Sequence, residues 1–288
     1  MLINTHSRCG AQDLDAVFAL LRGAGIEVER LDCPPAGEMS SLIQAHARGR
    51  TMVIIGGGDG TLNAALEGMV ACGLPLGLLP LGTANDLART LGIPADPVAA
   101  ARAIAAGHVR HVDLGWVNGK HFVNVASMGL SVEVTRALSR DLKRRWGRLG
   151  YGLGALMGWR RTKPFGVHIR SDGEQVKLAA LQVAVGNGRH FGGGMTVAED
   201  ARIDDGRLDL FALEPVGLLT YMALLPRLKL GRHGQLDHVR TWHGQDFEVD
   251  TMPCLPVNTD GEITTSTPAR FRICRGALAV LVPPPGDG

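Results

Sequence analysis

The sequence predicts an α/β domain with a parallel sheet, followed by a mainly antiparallel β domain. Three observations lead there. Over roughly the first 110 residues, short apolar runs alternate with helical patterns, the order expected of a parallel sheet covered by helices. After about residue 112, hairpin signals replace that alternation. A length of 288 residues suits two modest domains better than one core. The expected division is 1–112 for the α/β domain and 113–275 for the β-rich domain, with 276–288 a candidate completion of the first.

In chain order, "MLIN" reads as a strand and "AQDLDAVFALLRGAG" as a helix with Gly25 suited to its C-cap. "IEVERL" is a second strand, "GEMSSLIQAHARGR" a helix and "TMVII" a third strand. "LNAALEGMVACG" is helical, "PLGLLPLG" is a fourth strand, and "ANDLARTLG" and "DPVAAARAIAAG" are helices. Then "VDLGWVNGKHFVNVA" places two strands around Asn118-Gly119, a strong hairpin signal. "FGVHIRSDGEQVKLAALQVAV" repeats it around Ser171-Asp172-Gly173. "GRLDLFAL", "FEVD" and "ARFRIC" add strands, and helices are expected near 131–146 and 216–231.

Composition narrows the classes. Hydrophobic residues at 45% and charged residues at 20% describe a globular chain. A net charge of +2 makes no case for nucleic-acid binding, and none is expected. Five scattered cysteines, an odd number without CxxC spacing, suggest reduced thiols in a cytoplasmic compartment. "MLINTHSRCG" lacks the apolar core of a signal peptide, and no apolar run approaches the length of a membrane span. The 39 glycines imply tight turns and places where backbone approaches something closely.

The most informative glycines are in "TMVII-GGGDGT-LNAALEGMV", a strand, a loop and a helix start. A helix N-terminus offers unsatisfied N–H groups and a positive dipole end, and glycines let an anion come close. A plain tight turn is the competing reading. No lysine follows as a Walker loop requires, and the GxGxxG spacing fails at Thr61. Asp59 would repel a phosphate unless a cation lay between them, which points to Mg²⁺. A second loop, "GLLPLGTANDLART", repeats the strand-glycine-helix order. Thr83 at an N-cap with Asp86 three residues on resembles a capping box, which would explain both without a ligand. Both loops follow the carboxyl ends of strands, where open parallel sheets bind ligands.

"GGDGT" (57–61) followed by "LGTANDLAR" (81–89) resembles the diacylglycerol kinase catalytic-domain family, especially its bacterial lipid-kinase branch, to which sphingosine, ceramide and, more distantly, NAD kinases are related. "NVASMGLSVEV" (124–134), "RWGRLGY" (145–151), "VGNGRHFGGGM" (185–195), "DARIDDGRLDL" (200–210) and "NTDGE" (258–262) follow in family order. The first loop departs from the family's common NPxSG, reading "NTHSRCG", and "LDCPP" stands where some relatives place a nucleotide-contacting threonine.

The resemblance implies a two-domain, ATP-dependent lipid kinase with ATP and lipid meeting in the cleft between domains. It implies nucleotide contacts from Asn4, Gly57, Gly58, Asp59, Gly60, Thr61, Leu62, Asn63 and Thr83. Glu262 becomes the proton acceptor for a lipid hydroxyl such as that of diacylglycerol or phosphatidylglycerol, with Asp59 and Mg²⁺ at the phosphates. A separate Mg²⁺ site is implied at the Asp205 side chain and the main-chain carbonyls of Arg202 and Arg207. From sequence alone Glu262 reads as a solvated turn acid, and Asp204, Asp205 and Asp209 as a charged turn.

"VTRALSRDLKRRWGRLGY" sets basic residues against Val134, Leu138, Leu142, Trp146 and Leu149 at helical spacing. It is either a peripheral contact with the inner face of a membrane through 136–151 or a packed helix with a solvated basic face. The groups His233, His238, His243 and His108, His111 are read as structural or surface residues. A kinase for a soluble hydroxyl substrate and a nucleotide sensor without catalysis are the alternatives to the lipid kinase.

Overall fold

A computed structural model describes residues 1–4, 14–137, 158–188, 190–191, 195–196, 202–229 and 237–284. The chain forms two compact units. One is built from Met1–Leu114 together with the segment from Cys274 onward, the other from Gly115–Phe191 and Met195–Ile273.

In the first unit, β1 (Leu2–Ile3), β2 (Leu31–Asp32), β3 (Val53–Gly57) and β4 (Leu76–Pro80) lie in the order β2-β1-β3-β4, all parallel. β3 and β4 are runs of apolar residues buried on both sides, as a covered parallel sheet requires. β2 is shorter than the predicted "IEVERL" because it pairs only β1, through Leu2 with Leu31 and Ile3 with Asp32. Between the strands come α1 (Asp15–Gly23), α2 (Met39–His46), α3 (Asp59–Cys72), α4 (Asp86–Thr90) and α5 (Pro97–Ala106). Helix α1 packs on α5 and α2 on α3. Asp96 caps α5 by accepting the Ala99 N–H at 2.7 Å, and Pro97 occupies the first helical position, where its missing N–H is no loss.

The second unit begins with the end of β5 (Val109–Val117) and β6 (Lys120–Phe122), joined at Asn118-Gly119. Positive φ at both turn residues, 46° and 97°, gives the twist that a two-residue hairpin needs. β8 (Phe165–Ser171) and β9 (Glu174–Ala180) repeat this at Asp172-Gly173. They share a layer with β15 (Asp246–Met252) and the first half of β18 (Ala269–Leu281). The second layer is antiparallel throughout, in the order β14-β13-β10-β7-β16-β17. Its strands are β7 (Val125–Gly129), β10 (Gln182–Gly186), β13 (Leu208–Leu213), β14 (Val239–Gly244), β16 (Pro256–Thr259) and β17 (Glu262–Ser266). A separate pair, β11 (His190–Phe191) and β12 (Met195–Thr196), completes the strands.

Phe122, Phe165, Phe247 and Phe271 meet Met128, Val183, Leu210 and Val257 in the core of this sandwich. On the other face of the second layer, α6 (Leu130–Ala137) and α7 (Leu218–Lys229) are associated with a smaller core of Leu130, Phe211, Tyr221 and Leu224. The predicted fold class, parallel α/β followed by antiparallel β sandwich, is therefore the observed one. Phe271 is fully buried, so Phe271→Ala should lower stability by about 3–5 kcal/mol, read as a fall in the urea midpoint at unchanged slope.

Candidate active site

The first glycine loop is tighter than its sequence suggests. Helix α3 starts at Asp59, three residues before the predicted Leu62, with Gly58 as its N-cap. The carboxylate of Asp59 thus sits in the first helical turn, at the positive end of the dipole. A Cβ on Gly57 would fall 2.6 Å from Thr61 Cβ, so only glycine fits beneath that side chain. At the end of β1, the Asn4 N–H donates to Gly56 O at 2.8 Å and Asn4 Nδ2 donates to Thr61 Oγ1 at 2.9 Å. Asn4, Gly57 and Thr61 therefore come together as expected neighbours. Leu62 and Asn63 are buried at 3% and 1% exposure, and Leu62 can offer a ligand only its main chain. Gly60 differs from its neighbours, because among the described residues a Cβ there would meet nothing within 4 Å.

The second loop corrects the capping-box expectation. Thr83 is not the N-cap of α4. That position belongs to Asn85, in the left-handed region at φ 50°. Its amide grips Gly82 from both sides, Oδ1 accepting the Gly82 N–H at 3.0 Å and Nδ2 donating to Gly82 O at 3.1 Å. These bonds offset the left-handed backbone, which asparagine tolerates better than most residues. Thr83 is left exposed on the loop. A Cβ on Gly82 would lie 2.5 Å from Gly58 Cα, so the two loops touch backbone to backbone.

Asp59 joins them. Its Oδ2 accepts the Asn85 N–H at 2.9 Å and its Oδ1 accepts the Asp86 N–H at 2.7 Å. One carboxylate from α3 thereby satisfies two of the N–H groups that open α4. Burial pushes the Asp59 carboxyl above the ordinary aspartate range, the charge of Asp86 adds to this, and the backbone N–H donors oppose it. The two Asp59 oxygens keep lone-pair capacity beyond the backbone N–H groups they accept, which is compatible with an oxygen-liganded divalent cation.

In the second unit, Glu262 opens β17 opposite Thr259 and is exposed. Asp205 is held by its own loop. Its oxygens accept the Arg202 N–H at 3.1 Å and the Arg207 N–H at 3.2 Å, and Arg207 Nε lies 3.4 Å away. Main-chain N–H groups of Arg202 and Arg207 thus face the carboxylate, beside the carbonyls that the metal reading uses. Among the described residues, no group of three or more His, Cys, Asp or Glu side chains is placed to hold a metal. His243 Nδ1 contacts Asp209, whose carboxyl is raised by burial and held down by His243 and Arg207. Segment 138–151 and His233 lie outside the described residues. Sequence reasoning missed Asn85 and Asp260 as organisers of their loops. An asparagine directly before a helix and an aspartate before glycine were the available signals.

Two glycine-bearing strand ends, each followed by a helix N-terminus, are thus cross-linked through one carboxylate into a single backbone-lined surface. The comparisons with known proteins give the family. Residues 1–117 match the diacylglycerol kinase catalytic domain, and residues 124–282 match the YegS C-terminal NAD kinase beta sandwich-like domain. A protein of Pseudomonas aeruginosa named "Probable lipid kinase YegS-like" is 34% identical, over 98% of this chain and 94% of that one. A diacylglycerol kinase of Mycobacterium tuberculosis is 32% identical, over 92% and 88%. The crystal structure of a diacylglycerol kinase from Bacillus anthracis superposes with a TM-score of 0.82 at 27% identity, covering 98% of this chain and 96% of that one. The chain belongs to the diacylglycerol kinase family and is an ATP-dependent kinase. Among the described residues, no helix is long and apolar enough to cross a membrane.

Asp59→Ala removes two charge-assisted bonds and should cost about 1.5–3 kcal/mol of stability in denaturant titration. The raised carboxyl fixes the sign of a pH effect. Its contribution is fully present below the unfolded value near about pH 4 and is lost as pH rises through the higher folded value. In Asp59→Asn this part of the decline should be missing when unfolding free energies are compared across that interval.

Proposed function

We propose that the protein transfers the γ-phosphoryl group of ATP to the hydroxyl of a lipid. The observation that carries the reading is the carboxylate bridge of Asp59 between two helix starts that follow neighbouring parallel strands. Gly60 supports it: among the described residues nothing lies within 4 Å of where its Cβ would be, so the first turn of α3 leaves an anion room to approach the backbone.

In this reading the N-terminal turn of α3, from Gly57 to Asn63, receives the phosphates of ATP, with Asn4 bracing Thr61 and the exposed Thr83 hydroxyl adding a donor. Asp59 would hold Mg²⁺, which would supply positive charge to offset that of the phosphates. Glu262 accepts the proton of the lipid hydroxyl as its oxygen bonds to the γ-phosphorus. The bond from that phosphorus to the β–γ bridging oxygen breaks, and ADP leaves with the electron pair. A second ion on Asp205 and the main-chain carbonyls of Arg202 and Arg207 belongs to the same reading and would share Asp205 with the Arg207 guanidinium. Peripheral membrane contact through 136–151 would bring the enzyme to its substrate.

Labelled ATP offered with diacylglycerol, phosphatidylglycerol, monoacylglycerol, a sphingoid base and NAD tests the acceptor class, with products identified by mass spectrometry. A labelled lipid is expected. Label on NAD alone would point to a soluble hydroxyl, and no label to a sensor. With the labelled acceptor, Glu262→Gln should lower kcat by about 10²–10⁴-fold while ATP affinity changes little. Full turnover in that variant removes Glu262 as the base.

A further inference from the structure

The turn that carries Glu262 is fastened in a way that turn chemistry alone does not demand. Asp260 and Gly261 join β16 to β17 with φ of 48° and 98°, the two-residue hairpin geometry. Asparagine suits the first of these positions as well as aspartate. What asparagine lacks is a second acceptor oxygen, and here both oxygens are used. Asp260 Oδ2 accepts the Val123 N–H at 2.6 Å, while Oδ1 accepts the N–H groups of Asn124 at 3.0 Å and Val125 at 3.1 Å. The Asp260 N–H returns a bond to Val125 O at 3.0 Å.

The corner at 123–125, where β6 passes into β7, is held from its other side as well. Asn187 donates its N–H to Asn124 O at 2.9 Å and its Nδ2 to Val123 O at 2.8 Å. Behind the turn, Asn258 Oδ1 accepts the Gly261 N–H at 2.9 Å. The hairpin tip is therefore tied to a strand junction by four bonds through one residue, three of them charge-assisted. Glu262 stands two residues beyond that anchor, at the first position of β17. An exposed hairpin end would otherwise swing, and a proton acceptor displaced by about 1 Å can lose about 10²-fold in rate.

We propose that Asp260 is a positioning residue for Glu262, selected as a carboxylate because three converging N–H donors need two acceptor oxygens. The proposal rests on the reading of Glu262 as the base. It is tested by a double-mutant cycle of Asp260→Asn and Glu262→Gln, assayed with the acceptor lipid labelled in the panel above. Asp260→Asn keeps the turn preference but sets an NH₂ group against the Val123 N–H. The expected result is a fall in kcat of about 10²-fold with the KM for ATP unchanged. In the Glu262→Gln background the same substitution should cost no further activity. Amide exchange at residues 123–125 should quicken, and circular dichroism should remain that of the parent. Unchanged kcat in Asp260→Asn, or an equal loss in both backgrounds, overturns the proposal. Full activity in Glu262→Gln alone overturns instead the reading on which it rests.

Discussion

The organisation of the first unit depends on one carboxylate that serves two helices. Asp59 begins α3 and, through both oxygens, receives the N–H groups of Asn85 and Asp86 where α4 begins. Besides that bridge, the described residues of the two loops share the Leu81 N–H donated to Gly57 O at 3.0 Å and the van der Waals contact of Gly58 with Gly82. With the bridge, two separate strand ends become one surface lined with helix N-termini. Burying a charge beside Asp86 is unfavourable by itself, as the raised carboxyl of Asp59 records.

The second unit applies the same device to a hairpin. Asp260 takes three N–H groups of the 123–125 corner, as Asp59 takes two at the start of α4. In both places a short acidic side chain organises backbone that is not its neighbour in sequence. Exposed side chains such as Thr83 and Glu262 therefore stand on backbone that is fixed by other residues.

Most of the fold was legible in the sequence because it depends on local pattern. Apolar runs at β3 and β4, and Asn-Gly or Asp-Gly between alternating strands, give their elements directly. The starts of α3 and α4 were not legible. The spacing of Thr83 and Asp86 satisfies a capping box, but the N–H groups at that helix end are claimed by Asp59, 26 and 27 residues earlier in the chain than Asn85 and Asp86. The strand-loop-helix order around the glycine loop was readable from residue types alone, whereas the contact of Gly58 with Gly82 was not. Such long-range pairings leave no periodic trace. Asp205 shows the same limit, because its bonds to the N–H groups of Arg202 and Arg207 are not visible in the acidic run of its loop.

The last strand has a consequence for how the protein is made. β18 starts in the second unit and ends in the first, where Val280 lies opposite Leu76 of β4 and the Gly276 N–H donates to Asp113 at 2.7 Å. During synthesis β3 can pair with β4 early, but the far edge of β4 stays bare until some two hundred further residues have been added. A nascent chain therefore carries an open, wholly apolar strand edge for most of its translation, a natural place for a chaperone to hold or for two growing chains to pair wrongly.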